Sequence, residues 1–298
     1  MSGDPVVVIG NFDGVHRGHL ELLRTARTAE PGAPLVAVTF WPHPMSVVRP
    51  DQTPPLLTSL PRRVELLREA GVDDVVVVEF TPDVASWSPA QFVEEVLTPL
   101  HPCRVVVGEN FRFGFRAAGT VQTLAELGQG SFTVQAVPLL TDGALPSSST
   151  LIRHAVLDGD FGRVRELSDQ PFRFSGVVVQ GDQRGRQLGY PTANVAVAPG
   201  MAVPADGVYA GWVTRLDIPS PRWPAAISVG SNPTFDGVER RIEAYVLDRD
   251  DLELYGVEIA IEFYARIRGQ VRFAGMGPLI EQMHHDVEEI RHLLLSSH

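Results

Sequence analysis

The stretch that most constrains this chain lies near its start. The apolar run Val6 to Ile9 passes directly into Gly10-Asn11-Phe12-Asp13-Gly14-Val15-His16-Arg17-Gly18-His19, and Leu20, Leu22, Leu23 and Ala26 follow at helical spacing. A short β-branched run, a glycine-rich turn and a helix-spaced apolar set describe a buried strand feeding a helix through a tight loop.

That junction has the chemistry of a phosphate site. Gly10, Gly14 and Gly18 lack a Cβ, so the backbone can take positive φ and come close to a ligand. The first turn of the helix leaves amides unpaired and presents the positive end of its dipole. If the helix starts near Val15, His16 and His19 share one face at its N-terminus, where their ring donors would sit over bound phosphates. The glycine offsets are not those of the dinucleotide fingerprint. All 25 basic residues are arginine, so P-loop NTPases, protein kinases and Schiff-base enzymes, whose motifs need a lysine, are excluded. Two other readings stand beside the phosphate site: surface or capping histidines, and a metal held by Asp13, His16 and His19, which lacks a fourth ligand nearby in sequence.

A length of 298 residues suggests two domains. The net charge of −11 gives no electrostatic footprint for nucleic acid or an anionic membrane. Neither is expected as a partner, and anionic substrates must be met by local arginines and amides. Cys103 is the single cysteine, which rules out an internal disulfide or a cysteine-based zinc site. No apolar run approaches the length of a membrane helix, about 18 residues. The sequence enters a strand at once without a basic or apolar leader, so a cytoplasmic location is expected.

From residue 1 to about 168 strands and helices alternate. Val6 to Ile9, Leu35 to Phe40, Asp74 to Phe80, Arg104 to Gly108 and Phe132 to Val137 are mostly continuous Val-rich runs of the kind found in sheets covered on both faces. One helix is predicted from Ser59 to Gly71, another from Ser88 with Pro89 at its first position and Gln91 closing a capping box. The alternation predicts a parallel, doubly wound sheet, whose ligands bind beyond the carboxyl ends of the strands. Four loops meet there: the opening loop, Trp41-Pro42-His43-Pro44, Glu109 to Gly119, and Ser147 to Arg153. In the third, Asn110, Phe111 and Phe113 could stack a planar ring and bond its edge, or could simply pin a long loop to the core. In the fourth, Ser148, Ser149 and Thr150 open a helix and Arg153 follows one turn later, bringing hydroxyls, amides and a guanidinium together.

After Pro171 the texture changes. Phe172 to Val179, Tyr190 to Val197, Val208 to Leu216, Ala225 to Val229, Arg241 to Leu247 and Val257 to Ile267 read as strands separated by Gly, Pro and Asp turns, which predicts a small antiparallel barrel. A terminal helix follows Pro278, its stripe of Leu279, Met283, Val287, Ile290 and Leu294 docked on that barrel. Within the barrel a second glycine-rich loop, with Gly181, Gly185, Arg186 and Gly189, enters Pro191-Thr192-Ala193-Asn194. Thr192 and Asn194 are two apart, so in a strand their oxygens face one side and could complete the shell of a magnesium ion on ATP phosphates. Glu243 is a candidate general base; its alternative is a cross-strand partner for an arginine.

At this point the sequence resembles one family, the prokaryotic bifunctional riboflavin kinase and FMN adenylyltransferase. The matching segments are GNFDGVHRGH (10–19), TFWPHP (39–44), LTSLPRR (57–63), VVVGENFRFG (105–114), SSTLIR (148–153), GRQLGYPTAN (185–194), ADGVYAGWV (205–213), SVGSNPTFDG (228–237) and RRIEAYVLD (240–248). The resemblance implies an α/β plus β chain: a Rossmann-like nucleotidyltransferase domain at 1–168 and a riboflavin kinase-like barrel with its terminal helix at 169–298. It implies that the first domain joins AMP from ATP to FMN, giving FAD and pyrophosphate, and that the barrel phosphorylates riboflavin to FMN with ADP as co-product.

By the same resemblance His16, His19, Ser149, Thr150 and Arg153 hold the ATP phosphates, and Asn110, Phe111 and Phe113 face FMN or adenine. Gly10, Asn11, Phe12, Asp13, Gly14, Gly18 and Ser148 complete the first nucleotide site. Gly181, Gly185, Arg186, Gly189 and Pro191 border the second, where Thr192 and Asn194 meet Mg-ATP and Glu243 deprotonates the ribityl hydroxyl. Adenylyl transfer needs no strong base, because the attacking phosphate is already an anion; the kinase attacks with a neutral alcohol, where a carboxylate and a metal help. Trp41, Arg62, Arg63 and Gln180 depart from the family pattern, and Trp41 is expected to pack on the flavin. The competing functions are a nucleotidyltransferase for another phosphorylated acceptor and a flavin-binding regulator or paralogue keeping one activity. The sequence carries no signal of oligomeric state.

Overall fold

The structure, a computed structural model, describes residues 3–138, 148–180, 189–230 and 240–296, with the backbone alone of 141–142, 145–146, 231–234 and 237–239. Gly181, Gly185 and Arg186 lie outside the described residues. The chain forms two compact units, Met1–Ser149 and Thr150–His298.

In the first unit, β1 (Val6–Ile9), β2 (Leu35–Trp41), β3 (Asp74–Glu79), β4 (Arg104–Gly108) and β5 (Thr133–Val137) form a parallel sheet in the order β3-β2-β1-β4-β5. All four residues of central β1 are buried, and its alternate side chains feed two cores, as the period of two requires. Val6 and Val8 join Leu22, Leu23 and Ala26 of α1 (Arg17–Ala29) on one face. Val7 and Ile9 face Phe92, Val96, Leu97 and Leu124 on the other. The expected doubly wound architecture is what the strands build. β3, at an edge, is largely half-exposed to exposed, and it ends at Glu79 rather than Phe80.

The helix ends follow the local chemistry. Short α2 (Pro44–Val48) is capped by His43, whose Nδ1 accepts from the Met45 amide at 3.1 Å. α3 (Leu60–Glu69) is capped by Ser59 and turns Arg63, Leu66 and Leu67 inward. α4 (Pro82–Ser86) leads to α5 (Pro89–Phe92), where Ser88 and Gln91 form the expected capping box. The chain then continues through a π-helical turn, Val93–Leu97, and a 3-10 turn, Thr98–Leu100. α6 (Val121–Leu127) precedes β5, and a two-residue ladder, β6 (Thr141–Asp142) with β7 (Leu145–Pro146), follows it.

The second unit opens with α7 (Ser149–Asp158), whose first residue still counts with the first unit, and α8 (Phe161–Leu167). Its barrel is closed: β8 (Arg173–Val179), β9 (Ala193–Ala196), β10 (Gly207–Arg215), β11 (Trp223–Thr234), β12 (Gly237–Val246) and β13 (Glu258–Gly269), in the circular order β10-β11-β12-β9-β8-β13. Phe161 of α8 stacks on Phe263 at 5.0 Å and meets Tyr209 edge-on at 5.6 Å, so this helix packs with the barrel. A Cβ at Gly211 would collide with the Glu262 carbonyl and Ile227, so glycine is required where β10 crosses β13. Val208 and Ala210 point outward to Val287, Ile290 and Leu294 of α9 (Met276–Leu295). The expected stripe therefore docks, Met283 packing against the same cluster, and Leu279, Met283 and Val287 also line a cavity.

Candidate active sites

The loop after β1 is held in an unusual backbone. Phe12 (φ 50°), Gly14 (φ 82°) and Val15 (φ 35°) are all left-handed, a conformation that a β-branched residue adopts only when its surroundings impose it. Those surroundings are visible. Phe12 is fully buried beside His19, their ring centroids 5.1 Å apart. Asp13, 1% exposed, accepts from the amides of Leu57 and Thr58 at 3.1 and 3.0 Å and from the Thr58 hydroxyl at 3.0 Å. The Thr58 hydroxyl oxygen also accepts from the Gly14 amide, and the Ser149 hydroxyl donates to the Asp13 carbonyl at 2.8 Å.

Beneath the loop lies Arg63, fully buried. Its Nη2 is 3.6 Å from Asp13 Oδ1, and its Nη1 donates to the Phe40 carbonyl at 3.1 Å and to Thr39 Oγ1 at 3.4 Å. Thr39 in turn donates to the Asn11 carbonyl. The packing of Phe12 and the hydrogen bonds of Asp13 thus shape the loop. Among the described residues no three His, Cys, Asp or Glu side chains are grouped to hold an ion.

His16 precedes α1 as its N-cap and His19 sits in its first turn. Their rings stack at 3.7 Å with 22° between planes, so the expectation of one shared face is met. His19 Nδ1 is buried without a hydrogen-bond partner. Burial first, then the neighbouring His16 and the Arg63 charge, hold the His19 ring well below its usual pKa of 6.5. Two imidazolium ions at this separation would repel, so the pair carries at most one charge comfortably.

A cavity of about 880 Å³ opens at the carboxyl ends of the strands, beside the point where the strand order reverses between β1 and β4. Gly10 and Asn11 line it from the first loop, Phe40, Pro44 and Met45 from the β2 end, and Phe111 and Phe113 from the loop after β4. The packing bears out the reading in which the aromatics pin the loop, with Phe113 in the core cluster and Phe111 packed against it. Phe113 is a core residue, 6% exposed, and Phe111 stacks on it at 5.4 Å while remaining half-buried. Asn110 is exposed on the same loop. Trp41 does not line this cavity; its ring lies over the Arg63 guanidinium, 5.5 Å from centroid to carbon. Ser148 is half-buried, Thr150 exposed, and Arg153 buried on α7. Gly18 lies within α1.

In the barrel, Glu243 and Asn194 are directly opposite across β12 and β9, so their side chains share a face. Thr192 donates to Glu243 Oε2 at 3.5 Å. Asn194 is buried, its Nδ2 donates to the Thr192 carbonyl at 3.5 Å, and its Oδ1 has no hydrogen-bond partner. Thr192 and Glu243 border a cavity of about 290 Å³ walled by Tyr190, Tyr245, Leu279, Met283 and Val287. On its other flank Glu243 borders a polar cavity of about 480 Å³ with Asp206, Arg241 and Arg272. Pro191 is half-buried before Thr192, and Gly189 is exposed with φ 84°.

Sequence reasoning passed over Arg63, although its spacing to Leu66 and Leu67 already put it on the inward face of α3. It also passed over the ion pair of half-buried Arg268 with buried Asp286 at the wall of the smaller cavity. The signal for Asp286 was its place inside the apolar stripe between Met283 and Val287.

The comparisons with known proteins bear on both units. The FAD synthetase family matches residues 2–151 and the riboflavin kinase family residues 168–294. The bifunctional riboflavin kinase/FMN adenylyltransferase of Bacillus subtilis is 35% identical over 95% of this chain and 90% of its own. That of Escherichia coli K12 is 34% identical over 94% and 90%. A crystal structure from Streptococcus pneumoniae, described as a macrolide-efflux protein, superimposes with a TM-score of 0.86 and 32% identity over 98% of this chain and 95% of that one. Among the described residues no helix is long and apolar enough to cross a membrane. With both families matched in order along one chain, and relatives alike over nearly its full length, the chain belongs to the bifunctional riboflavin kinase/FMN adenylyltransferases.

Proposed function

We propose that this chain makes FMN and FAD: its barrel transfers the terminal phosphate of ATP to riboflavin, releasing ADP, and its first unit transfers AMP from a second ATP to FMN, releasing pyrophosphate. The supporting observation is that the stacked histidine pair of the first unit and the Thr192, Asn194 and Glu243 set of the barrel are two separate constellations, and that the two differ as the two reactions require.

In the first unit the acceptor is the FMN phosphate, an anion at neutral pH, and no carboxylate base is needed. The histidine pair and the amides at the start of α1 meet the ATP phosphates, with Ser149. Phe111 faces the flavin ring across the large cavity, and Asn110 bonds its edge or the adenine. Because His19 rests neutral, an arriving polyphosphate draws a proton onto the pair and so creates its own counter-charge.

In the barrel the acceptor is a neutral ribityl hydroxyl. Glu243 takes its proton as the oxygen attacks phosphorus. The apolar cavity beside Glu243 suits the flavin ring, and the arginine-bearing cavity on its other flank suits the nucleotide phosphates. The orphaned Asn194 Oδ1, with the Thr192 hydroxyl close by, fits a hard cation. Magnesium bound there would neutralise phosphate charge. The functional division falls at about residue 168/169, and the enzyme works in the cytoplasm.

The test is a time course with riboflavin, ATP and magnesium, separating FMN from FAD. FMN should appear first and FAD after it. His19→Ala should stop at FMN; Glu243→Gln should form little FMN from riboflavin yet still convert supplied FMN to FAD. One substitution abolishing both steps in a folded protein would overturn the two-site assignment.

A further inference from the structure

The smaller barrel cavity has one wall that does not belong to the barrel. Leu279, Met283 and Val287 of α9 face Tyr190, Tyr245 and Glu243 across it. Its width therefore depends on how α9 is seated. Val287, Ile290 and Leu294 seat the helix through apolar contact, but such contact tolerates sliding by a fraction of a turn. A directional contact is needed to fix the register.

Arg268, at the end of β13, supplies one. Its Nε donates to both oxygens of Asp286 at 2.9 and 3.0 Å, and its Nη2 to Asp286 Oδ2 at 2.7 Å. Gln282, one turn earlier on α9, donates to the same carboxylate at 2.8 Å. Asp286 is 3% exposed. The same guanidinium donates through Nη1 to the Gly269 carbonyl and lies over the Phe273 ring at 5.8 Å. Phe273 lines the same cavity. One side chain thus ties together the strand end, the segment leading to α9, and α9 itself. A buried ion pair contributes little net stability, because desolvation offsets attraction, but its geometry admits one arrangement.

We infer that the Arg268–Asp286 pair is a positioning device that sets the spacing between α9 and the barrel, and so the fit of the riboflavin ring. This rests on the reading of the barrel as the riboflavin kinase. Arg268 and Asp286 border the cavity themselves, and the pair sets its width through Met283 and Val287 of α9 and through Phe273. Loss of the fork should loosen the pocket in the ground state and the transition state alike, which raises KM and spares kcat.

The experiment uses the full chain carrying Arg268→Lys or Asp286→Asn. Lysine keeps the charge and loses the fork; asparagine keeps the shape and loses the charge. Two readouts are taken: steady-state formation of FMN against riboflavin concentration, and equilibrium binding of riboflavin by fluorescence. Conversion of supplied FMN to FAD is measured on the same samples. The expected result is a rise in riboflavin KM and Kd of about tenfold, equivalent to about 1.4 kcal/mol, with kcat and FAD formation unchanged. Asp286→Glu, with the charge intact but one methylene longer, should not restore the fit.

Unchanged KM and Kd in both substitutions would overturn the inference, as would a fall in kcat alone, which is what a smaller folded fraction gives. Should Asp286→Asn fail to fold, Arg268→Lys decides by the same readouts. If the unmodified chain binds riboflavin without phosphorylating it, the kinase reading falls while the binding comparison still decides the role of the pair. If the unmodified chain does not bind riboflavin, both fall.

Discussion

Replacing Arg63 by methionine tests the account of the histidine loop. Methionine keeps much of the volume and removes the charge, leaving Asp13 buried without its cation and the Phe40 carbonyl without its donor. Breaking a buried pair by deleting one partner costs about 3–5 kcal/mol. Asp13 keeps the Leu57 and Thr58 amides and the Thr58 hydroxyl, and the Arg63 contact at 3.6 Å is long, so the lower end applies. The abandoned carbonyl adds about 1 kcal/mol. A loss of about 4 kcal/mol is a large share of a typical domain's stability, about 5–15 kcal/mol.

The assay is urea unfolding followed by circular dichroism at several pH values, with FMN-to-FAD turnover on the same protein. At a urea slope of about 2 kcal/mol/M, the midpoint of the first unit falls by about 2 M. The barrel's transition stays in place. The pH series examines His19. Its folded pKa lies well below 6.5, so between that value and 6.5 the unfolded chain binds the extra proton. Stability is therefore whole above 6.5 and is lost as pH falls towards the folded pKa. Removing the Arg63 charge raises the folded pKa and makes that acid-side loss shallower. An unmoved midpoint, or an acid-side slope as steep as before, would refute this account.

Two further outcomes are expected. ATP binding should draw a proton onto the His16/His19 pair, so the calorimetric heat of binding near pH 7 should depend on the ionisation enthalpy of the buffer in the unmodified chain and not in His19→Gln; equal heats in both would contradict it. Asn194→Ala should raise the magnesium concentration for half-maximal FMN formation by about tenfold or more and leave FMN-to-FAD conversion untouched; an unaltered magnesium requirement would remove Asn194 from the cation site.

The sequence made the architecture readable because its two textures differ so sharply. Continuous valine runs with capped helices between them lead to a doubly wound sheet, and the strands after Pro171 lead to a closed barrel. Ser59 and the Ser88–Gln91 box were legible because capping is local chemistry. The side-chain directions in the first loop were not. Asp13 reads as a ligand until Arg63, fifty residues away, claims its carboxylate, and only tertiary packing makes that pairing. The second aromatic loop was ambiguous for a similar reason. Phe111 and Phe113 are two apart, and their division between cavity and core depends on Phe92, which meets Phe113 from α5 at 5.4 Å. Asp286 was hidden by the assumption that an apolar stripe is apolar throughout.

Phe161 has a practical bearing on how this chain can be divided. The kinase family match begins at residue 168, and a cut there would look natural. Such a cut would strip Phe161 from Phe172, Tyr209 and Phe263 and uncover the end of the barrel it closes. Deleting a buried phenylalanine costs about 3–5 kcal/mol, enough to leave a fragment starting at 169 prone to aggregate. A fragment that keeps its own stopper begins near Thr150, with both short helices attached.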